Sequence, residues 1–171
     1  MGTQIKEPKR EDIKALIEKI VVNVGIGKRS SEASFKDKAA DQVTQDLATI
    51  TGQKPQPRPA RKSIASFKSR EGQIVGLKVT LRDKKMIDFF ERLVRIVLPR
   101  VRDFRGISKT SIDQSGTLNI GFREQLVFPE IDPEKSTYIF SLGVNIVSKD
   151  KGREKAEVIF EKLGIPFVKD K

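Results

Sequence analysis

Cysteine and histidine, two residue types that support much of protein chemistry, are absent from this 171-residue chain. Without cysteine there is no disulfide framework and no thiolate ligand for a metal. Without histidine the chain lacks the side chain that most often transfers protons near neutral pH, and the usual nitrogen ligand of transition metals. Ser-His-Asp and Cys-His arrangements are therefore excluded. We expect no metal, no cofactor and no catalytic residue, with a carboxylate- or lysine-dependent enzyme as an alternative.

Long apolar runs are missing as well. No segment approaches the length of a membrane span or of a signal-peptide core. We therefore expect a cytoplasmic protein with no membrane partner and no small-molecule substrate. Ten Phe within a 37% hydrophobic content suffice for the core of a chain of this length. We expect a polar N-terminal arm or short helix over residues 1–18 and a single domain over 19–171.

Positive charge is present in excess, and it is concentrated in one part of the chain. Lys54 to Lys109 contains sixteen Lys and Arg and five Asp and Glu, a net charge of +11. The whole chain also carries +11, so the remaining residues cancel. A localised basic field attracts a polyanion, usually through its phosphates, and makes binding salt-dependent. The alternative is a solvated basic surface without a partner.

Hydrophobic periodicity predicts both helices and strands. Helical spacing is found over 13–20, over 32–50 after Ser30-Ser31, from Asp83 to Pro99, and from Asp150 to Gly164, with Asp83 and Asp150 as caps. Strands are predicted at 20–24, 60–67, 74–82, 118–121, 126–128 and 138–147. Three prolines make 54–59 extended and exclude it from the centre of a sheet.

The strand at 74–82 has the clearest alternation. Its apolar residues point one way, whereas Lys78, Thr80 and Arg82 point the other. The mixed order of elements predicts an α+β fold, with an antiparallel-rich mixed sheet covered by helices on one face. The other face and the loops would be open.

One basic cluster interleaves cations with hydroxyls and an aromatic ring. Its members are Arg58, Arg61, Lys62, Lys68 and Arg70 around Ser63, Ser66 and Phe67. Such a set can clamp phosphates and stack on a base, although we interpret Phe67 as a core residue. Crowded cations repel one another unless counter-charge is supplied, which favours a functional role.

Two weaker patterns have simpler interpretations. Gly25-x-Gly27 follows a strand, as a dinucleotide fingerprint does, but Ser30 stands where the third glycine belongs. We interpret these glycines as a turn. Glu130 and Asp132 resemble a carboxylate pair, but their neighbouring prolines indicate a solvated turn.

Six segments of the chain form a recognisable series. In order they are Asn23–Gly27, Thr51–Pro55, Ala60–Lys68, Lys78–Arg82, Arg102–Gly106 and Arg123–Ile131. Together they resemble the family of the large-subunit ribosomal protein number five, bacterial type, which binds 5S ribosomal RNA (rRNA). The resemblance covers Lys19 to Phe167.

The resemblance implies an α+β domain that presents its sheet to 5S rRNA and attaches it to the central protuberance. The family's uncharged recognition positions fall on Asn23, Gln53 and Thr80. The 5S rRNA-binding set expected here is Asn23, Gln53, Lys54, Arg61, Lys62, Ser63, Lys68, Lys78, Thr80 and Arg82.

The resemblance also implies contacts beyond 5S rRNA. A loop toward the peptidyl-site (P-site) tRNA would contain Ser69, Arg70, Glu71, Gly72 and Gln73. Loops near 107–116 and 130–135 would face a small-subunit protein across an intersubunit bridge. Further contacts with large-subunit rRNA or with the bridge are expected at Arg100, Arg102, Arg105 and Lys109.

The sequence departs from the family pattern in three places. Its N-terminal segment is shorter and more polar, Ile74-Val-Gly76 replaces a usual Pro-Ile-Gly, and Gln114-Ser-Gly-Thr117 replaces a common Gly-Arg-Gly-Asn. The other function left open is that of a nonspecific basic nucleic-acid-binding protein. It would bind with the same salt dependence but would be indifferent to changes at Asn23 and Thr80.

Overall fold

The computed structural model describes residues 9–26, 40–65 and 69–168. Its elements are, in order, α1 (Arg10–Leu16), β1 (Ile17–Gly25), α2 (Ala40–Thr51), β2 (Gln56–Pro59), β3 (Ile74–Leu81), α3 (Asp83–Arg92), α4 (Leu98–Arg100), β4 (Thr117–Phe122), β5 (Leu142–Ser148) and α5 (Arg153–Lys162). This mixture confirms the predicted α+β class. None of the helices described is long and apolar enough to cross a membrane.

The chain divides into two compact units. The first unit comprises Met1–Val21, Thr80–Gly121 and Val144–Lys171, and the second comprises Val22–Val79 and Phe122–Gly143. The expectation of one domain over 19–171 stays a prediction.

The five strands form one sheet in the order β2-β3-β1-β5-β4. β2 pairs with β3 in antiparallel register, with Gln56 opposite Lys78. Pro57 and Pro59 have no N–H to donate, so β2 lies at the edge of the sheet, as its prolines predict.

Hydrogen bonds at the strand ends give the same direction to the pairings of β1 with β3 and with β5. In the second unit, the N–H of Ile26 donates to the carbonyl of Val75 at 3.0 Å, which joins the end of β1 to the beginning of β3. In the first unit, the N–H of Lys149 donates to the carbonyl of Leu16 at 2.9 Å, at the other end of β1. The predicted antiparallel character of the sheet is confirmed.

The core of the first unit is built from helices and from alternate strand residues. Its largest fully buried side chains are Ile13, Ile17, Ile20, Leu81, Met86, Phe89, Phe90, Leu93, Leu98 and Phe160. Arg10 on α1 pairs with Asp88 and Glu91 on α3, each at 2.8 Å. Strand β1 begins at Ile17, earlier than predicted, because Ile17 is buried as part of the sheet.

Helix α3 does not end at Pro99 as predicted. A π-helical turn, Leu93–Val97, joins it to α4, which contains Pro99. The proline has no N–H and its ring crowds the carbonyl four residues earlier, so an α-helix cannot pass it unchanged. The N–H of Leu98 donates to the carbonyl of Leu93, a wider turn that accommodates the proline within the helix.

Neither predicted aspartate cap forms. Helix α3 is preceded by Arg82 and contains Asp83 as its first residue, with a φ of 49°, and no side chain caps it. Gly152 precedes α5, again without a side-chain cap. The predicted end of α5 is confirmed, because Gly164 has a φ of 81° and its N–H donates to the carbonyl of Glu161 at 3.0 Å.

In the second unit, a buried polar network determines the path of the chain after β4. Gln125 is fully buried, and its side-chain Nε2 donates to the hydroxyl of Ser136 and to the carbonyl of Tyr138, both at 2.8 Å. Its Oε1 accepts from the N–H of Phe140 at 2.9 Å. From α2, Gln42 donates to the same carbonyl of Tyr138 at 3.1 Å.

This network explains two wrong strand predictions. Residues 126–128 are not a strand; they belong to a 3-10 turn, Gln125–Val127, and the residue after it. Strand β5 begins at Leu142 rather than Tyr138, because the main chain at Tyr138 and Phe140 bonds to the Gln125 side chain. Strands β3 and β4 lie where predicted, to within one residue at each end.

The strand predicted at 60–67 is also wrong over its described part. Side chains 61–65 are all exposed, so the segment has no buried face to hold it in a sheet. An isolated bridge pairs Ile64 with Ser69. Helix α2 agrees with the end of the predicted helix at 32–50, whose beginning and Ser30-Ser31 cap lie outside the described residues.

Candidate RNA interface

Strand β3 presents alternate polar side chains outward, as predicted. Leu77, Val79 and Leu81 are buried, whereas Lys78 and Thr80 are only half-buried and Arg82, just past the strand, is exposed. The polar face of this strand therefore carries two cations around one hydroxyl.

Asn23 occupies the corresponding outward position of β1. It is exposed between buried Val22 and Val24. On the neighbouring strand β5, Gly143 lies against the Asn23 side chain. An amide in this position offers both a donor and an acceptor without a charge.

Gln53 and Lys54 follow the end of α2, where the main chain is tightly held. Gly52 has a φ of 64°, and its N–H donates to the carbonyl of Ala48 at 2.8 Å. The buried hydroxyl of Thr51 contacts the carbonyl of Gln53 at 3.1 Å. The side chain of Gln53 is half-buried, and that of Lys54 is exposed.

The described part of the segment between β2 and β3 contains three residues predicted to bind 5S rRNA, namely Arg61, Lys62 and Ser63. All three are exposed, but one of them is already hydrogen-bonded within the protein. The hydroxyl of Ser63, however, accepts from the N–H of Glu71 at 2.9 Å, which fixes the opposite side of the same loop. Lys68 and Phe67 lie outside the described residues.

The predicted tRNA-side loop is a tight turn over 70–73. The N–H of Gln73 donates to the carbonyl of Arg70 at 3.1 Å, and Gly72 has a φ of 80°, which is the conformation that a type II turn requires at its third position. The side-chain Oε1 of Gln73 accepts from the N–H of Arg70 at 3.0 Å. Gln73 therefore braces the turn from a half-buried position, while Arg70, Glu71 and Gly72 are exposed and Ser69 is half-buried.

Arginines 100, 102 and 105 are exposed in the first unit. The loop that carries Arg102 and Arg105 is closed by the end of the chain, because Ile107 donates its N–H to the carbonyl of Pro166 at 2.8 Å. Gly106, with a φ of 113°, permits this close approach.

Among the predicted cations that the structure describes, Lys109 differs from the others because it already has anionic partners. It pairs with Glu157 and, at 3.3 Å, with Glu161. These two glutamates raise the pKa of Lys109, chiefly through its hydrogen bond to Glu157. An RNA contact by Lys109 would compete with these pairs, so this residue stays the least supported of the predicted cations.

Two asparagines that the sequence reading missed lie on outward positions of β4 and β5. Asn119 is exposed and Asn145 is half-buried, and the Nδ2 of Asn145 donates to the Oδ1 of Asn119. The alternation of the two strands could have predicted these outward positions. Asn145 lies between two buried residues, and Asn119 follows one. Arg123 was also missed; it lines a hollow of the second unit together with Arg61 and Lys62.

Nearby basic side chains also change the pKa of Glu18, on β1. A hydrogen bond from Lys19 lowers the pKa of Glu18, and the charges of Arg82 and Lys151 lower it further.

The described residues contain no group of His, Cys, Asp or Glu arranged to hold a metal ion. Exposed cations and outward amides suit phosphate neutralisation and the reading of polar edges rather than bond-making chemistry. The fold and this surface define a class: a basic α+β protein suited to a polyanionic partner.

Comparison with known proteins identifies the family. Residues 14–70 match the family described as ribosomal protein L5, and residues 74–167 match the model of the C-terminus of the same ribosomal family. The chain belongs to the ribosomal protein L5 family. This confirms the resemblance carried by the six segments, and it excludes the enzyme alternative, because the family consists of ribosomal proteins.

Individual relatives give the same result. The large ribosomal subunit protein uL5 of Chlorobium luteolum is 47% identical over 153 residues, which cover 90% of this chain and 77% of the relative. The protein of the same name from Roseiflexus castenholzii is 50% identical over 151 residues, covering 88% of this chain and 82% of the relative. That of Mesoplasma florum is 48% identical, with the same coverage.

Proposed function

We propose that this chain is a structural component of the large ribosomal subunit that binds 5S rRNA and helps attach it to the central protuberance. The family membership supports a place in the ribosome, and hence in the cytoplasm. The observation that carries the RNA assignment is the outward position of Asn23 and Lys78 on adjacent strands of the second unit. No bond-making step is required of any residue.

Cations supply most of the affinity in this proposal. Lys54, Arg61, Lys62 and Arg82 are exposed and Lys78 is half-buried, so phosphates can reach them. Lys68 belongs to the same proposed set. Neutralising about five to eight phosphates would lower the affinity about 10²–10⁴-fold between low and physiological salt.

Uncharged side chains supply the specificity. Asn23, Gln53 and Thr80 offer amide and hydroxyl groups that can pair with base edges and 2′-hydroxyls. Such contacts contribute little to the salt dependence because they release no counterions. Ser63 takes part indirectly, since its hydroxyl is bonded to the main chain of Glu71.

We assign the turn at 70–73 to the P-site tRNA. Its exposed tip carries Arg70, and the turn is braced from inside by the Gln73 side chain. A braced tip can present a cation to a partner without first having to be ordered. Ser69 and Gly72 would act through the geometry of the turn.

The remaining proposed contacts are with large-subunit rRNA and with ribosomal proteins. Arg100, Arg102 and Arg105 are exposed and suit phosphate groups of rRNA. The loops at 107–116 and 130–135 are assigned to a small-subunit protein across the intersubunit bridge.

The proposal is tested by titrating labelled 5S rRNA with wild type and variants over a range of salt concentrations. Asn23→Ala and Thr80→Ala should each weaken binding about 5–30-fold with an unchanged salt slope, because each leaves RNA polar groups unpaired. Lys78→Ala should weaken binding and reduce the salt slope by about one. Gln45→Ala, an exposed change on α2, is the matched control and should bind as wild type.

The nonspecific alternative predicts a different pattern. The cations would give the same salt slope, but Asn23→Ala and Thr80→Ala would bind as well as the control. Duplex DNA of equal length would also compete as well as unlabelled 5S rRNA. Either result would overturn specific recognition.

A further inference from the structure

Gly143 lies within strand β5, a position where glycine is normally disfavoured. Glycine inside a strand costs conformational entropy and provides no side chain to pack. Its φ lies outside the left-handed region, so its backbone conformation would accept alanine. The reason must therefore be a lack of space at the Cβ position.

The space beside Gly143 is taken by the side chain of Asn23. A Cβ built at Gly143 would lie 2.9 Å from the Oδ1 of Asn23, 3.3 Å from its Nδ2 and 3.4 Å from its Cγ. The whole amide group therefore rests on the bare backbone of β5. Both residues belong to the second unit.

Two other strand glycines show that this arrangement is specific to Gly143. A Cβ at Gly121 on β4 would have no atom within 4 Å. A Cβ at Gly76 on β3 would lie 2.9 Å from the carbonyl oxygen of Val24, where the obstacle is backbone. At Gly143 alone among these three the obstacle is a side-chain amide, which can move without disturbing the sheet.

We propose that Gly143 is a positioning residue for RNA recognition: its missing Cβ lets the amide of Asn23 lie flat on β5 in the direction that RNA reads. This inference rests on the RNA-reading role proposed for Asn23. The last side-chain torsion of asparagine is broad and sets the amide plane only weakly. The surface beneath the amide therefore contributes to its orientation, and a methyl group there would tilt or displace it.

The test is a double-mutant cycle on 5S rRNA binding at one salt concentration. Gly143→Ala alone should weaken binding about 3–10-fold, the effect of misaligning a neutral hydrogen bond. In the Asn23→Ala background the same change should have no further effect, because the group it displaces is gone. Gly121→Ala is the matched control and should bind as wild type in both backgrounds.

A second readout follows the amide without RNA. The side-chain NH₂ resonances of Asn23, assigned by NMR, should shift in Gly143→Ala and stay in place in Gly121→Ala. Unshifted resonances, wild-type binding by Gly143→Ala, or an equal loss in both backgrounds would each overturn the positioning role. If the resonances shift but Asn23→Ala itself binds as wild type, the RNA-reading role of Asn23 fails, and the positioning role fails with it.

Discussion

Gln125→Leu tests whether the buried polar network determines the fold of the second unit. The substitution keeps the approximate volume of a fully buried side chain and removes its donor and acceptor. Three hydrogen bonds are lost, to Ser136, Tyr138 and Phe140. Because leucine fills nearly the same volume as glutamine, loss of packing contributes little to the change in the free energy of unfolding.

The cost follows from which partners keep another bond. The carbonyl of Tyr138 and the hydroxyl of Ser136 still accept from Gln42, at 3.1 and 3.0 Å. The buried N–H of Phe140 loses the acceptor it has in the structure, and an orphaned buried donor costs about 1–3 kcal/mol. We expect a net loss of about 2 kcal/mol, which lowers Tm by about 4–8 °C in a chain of this size.

The assay is thermal unfolding followed by circular dichroism, with urea unfolding as a second measure of the free energy. Gln45→Leu makes the same chemical change at an exposed position of α2 and should alter stability by less than about 0.5 kcal/mol. Equal stability of the two variants would refute the reasoning, because it would mean that the network contributes nothing to the free energy of unfolding.

Three further predictions concern loops. Gly106→Ala should cost about 3 kcal/mol or more in unfolding experiments, because its Cβ would lie 2.7 Å from the N of Val168 at a φ of 113°; stability equal to Gly121→Ala would contradict this. Hydrogen bonds from Ser115 and Thr117 lower the pKa of Asp113 in the folded protein. The ionised carboxylate therefore stabilises the fold above its ordinary pKa, and this stabilisation is lost as the pH falls through the lowered pKa. Asp113→Asn should therefore have a flatter dependence of Tm on acid pH than wild type, and parallel curves would contradict that. Ser63→Ala should speed amide hydrogen exchange at Glu71, its bonded partner, and unchanged exchange there would show that the bond does not hold the loop.

Local patterns predicted those elements whose stability is decided locally. The alternation of β3 gave its buried and outward faces correctly, since every second residue must leave the core. The end of α5 was also predictable, because Gly164 suits a left-handed position after a helix. Pro57 and Pro59 correctly indicated an edge strand.

Two wrong strand predictions came from side-chain hydrogen bonds that skip along the chain, and a wrong helix end came from local backbone geometry. The pattern at 126–128 has strand character, but the side chain of Gln125 bonds to Ser136, Tyr138 and Phe140, which lie 11, 13 and 15 residues further along the sequence. No periodicity reveals such a bond. The helical segment that begins at Asp83 continues past Pro99 because the wider π-helical turn before the proline accommodates its ring. The composition of the segment does not reveal this change in backbone geometry.

The candidate interface was predictable in composition but not in arrangement. Sequence alone indicated the cations and placed Lys78 and Thr80 on one side of a strand. It did not show that Ser63 and Gln73 hold loop backbone through their side chains. Nor did it show that Gly143 lies beneath Asn23, since 120 positions separate them in the chain.

Retention of 5S rRNA by large ribosomal subunits would test the proposed function most directly. Subunits assembled with wild type, with the double variant Asn23→Ala/Thr80→Ala, or with Gln45→Ala would be sedimented at increasing salt and scored for 5S rRNA per large-subunit rRNA. We expect all three proteins to cosediment, with 5S rRNA lost at lower salt from the double variant than from wild type or the control. Equal retention of 5S rRNA by all three would contradict a recognition role for these two side chains.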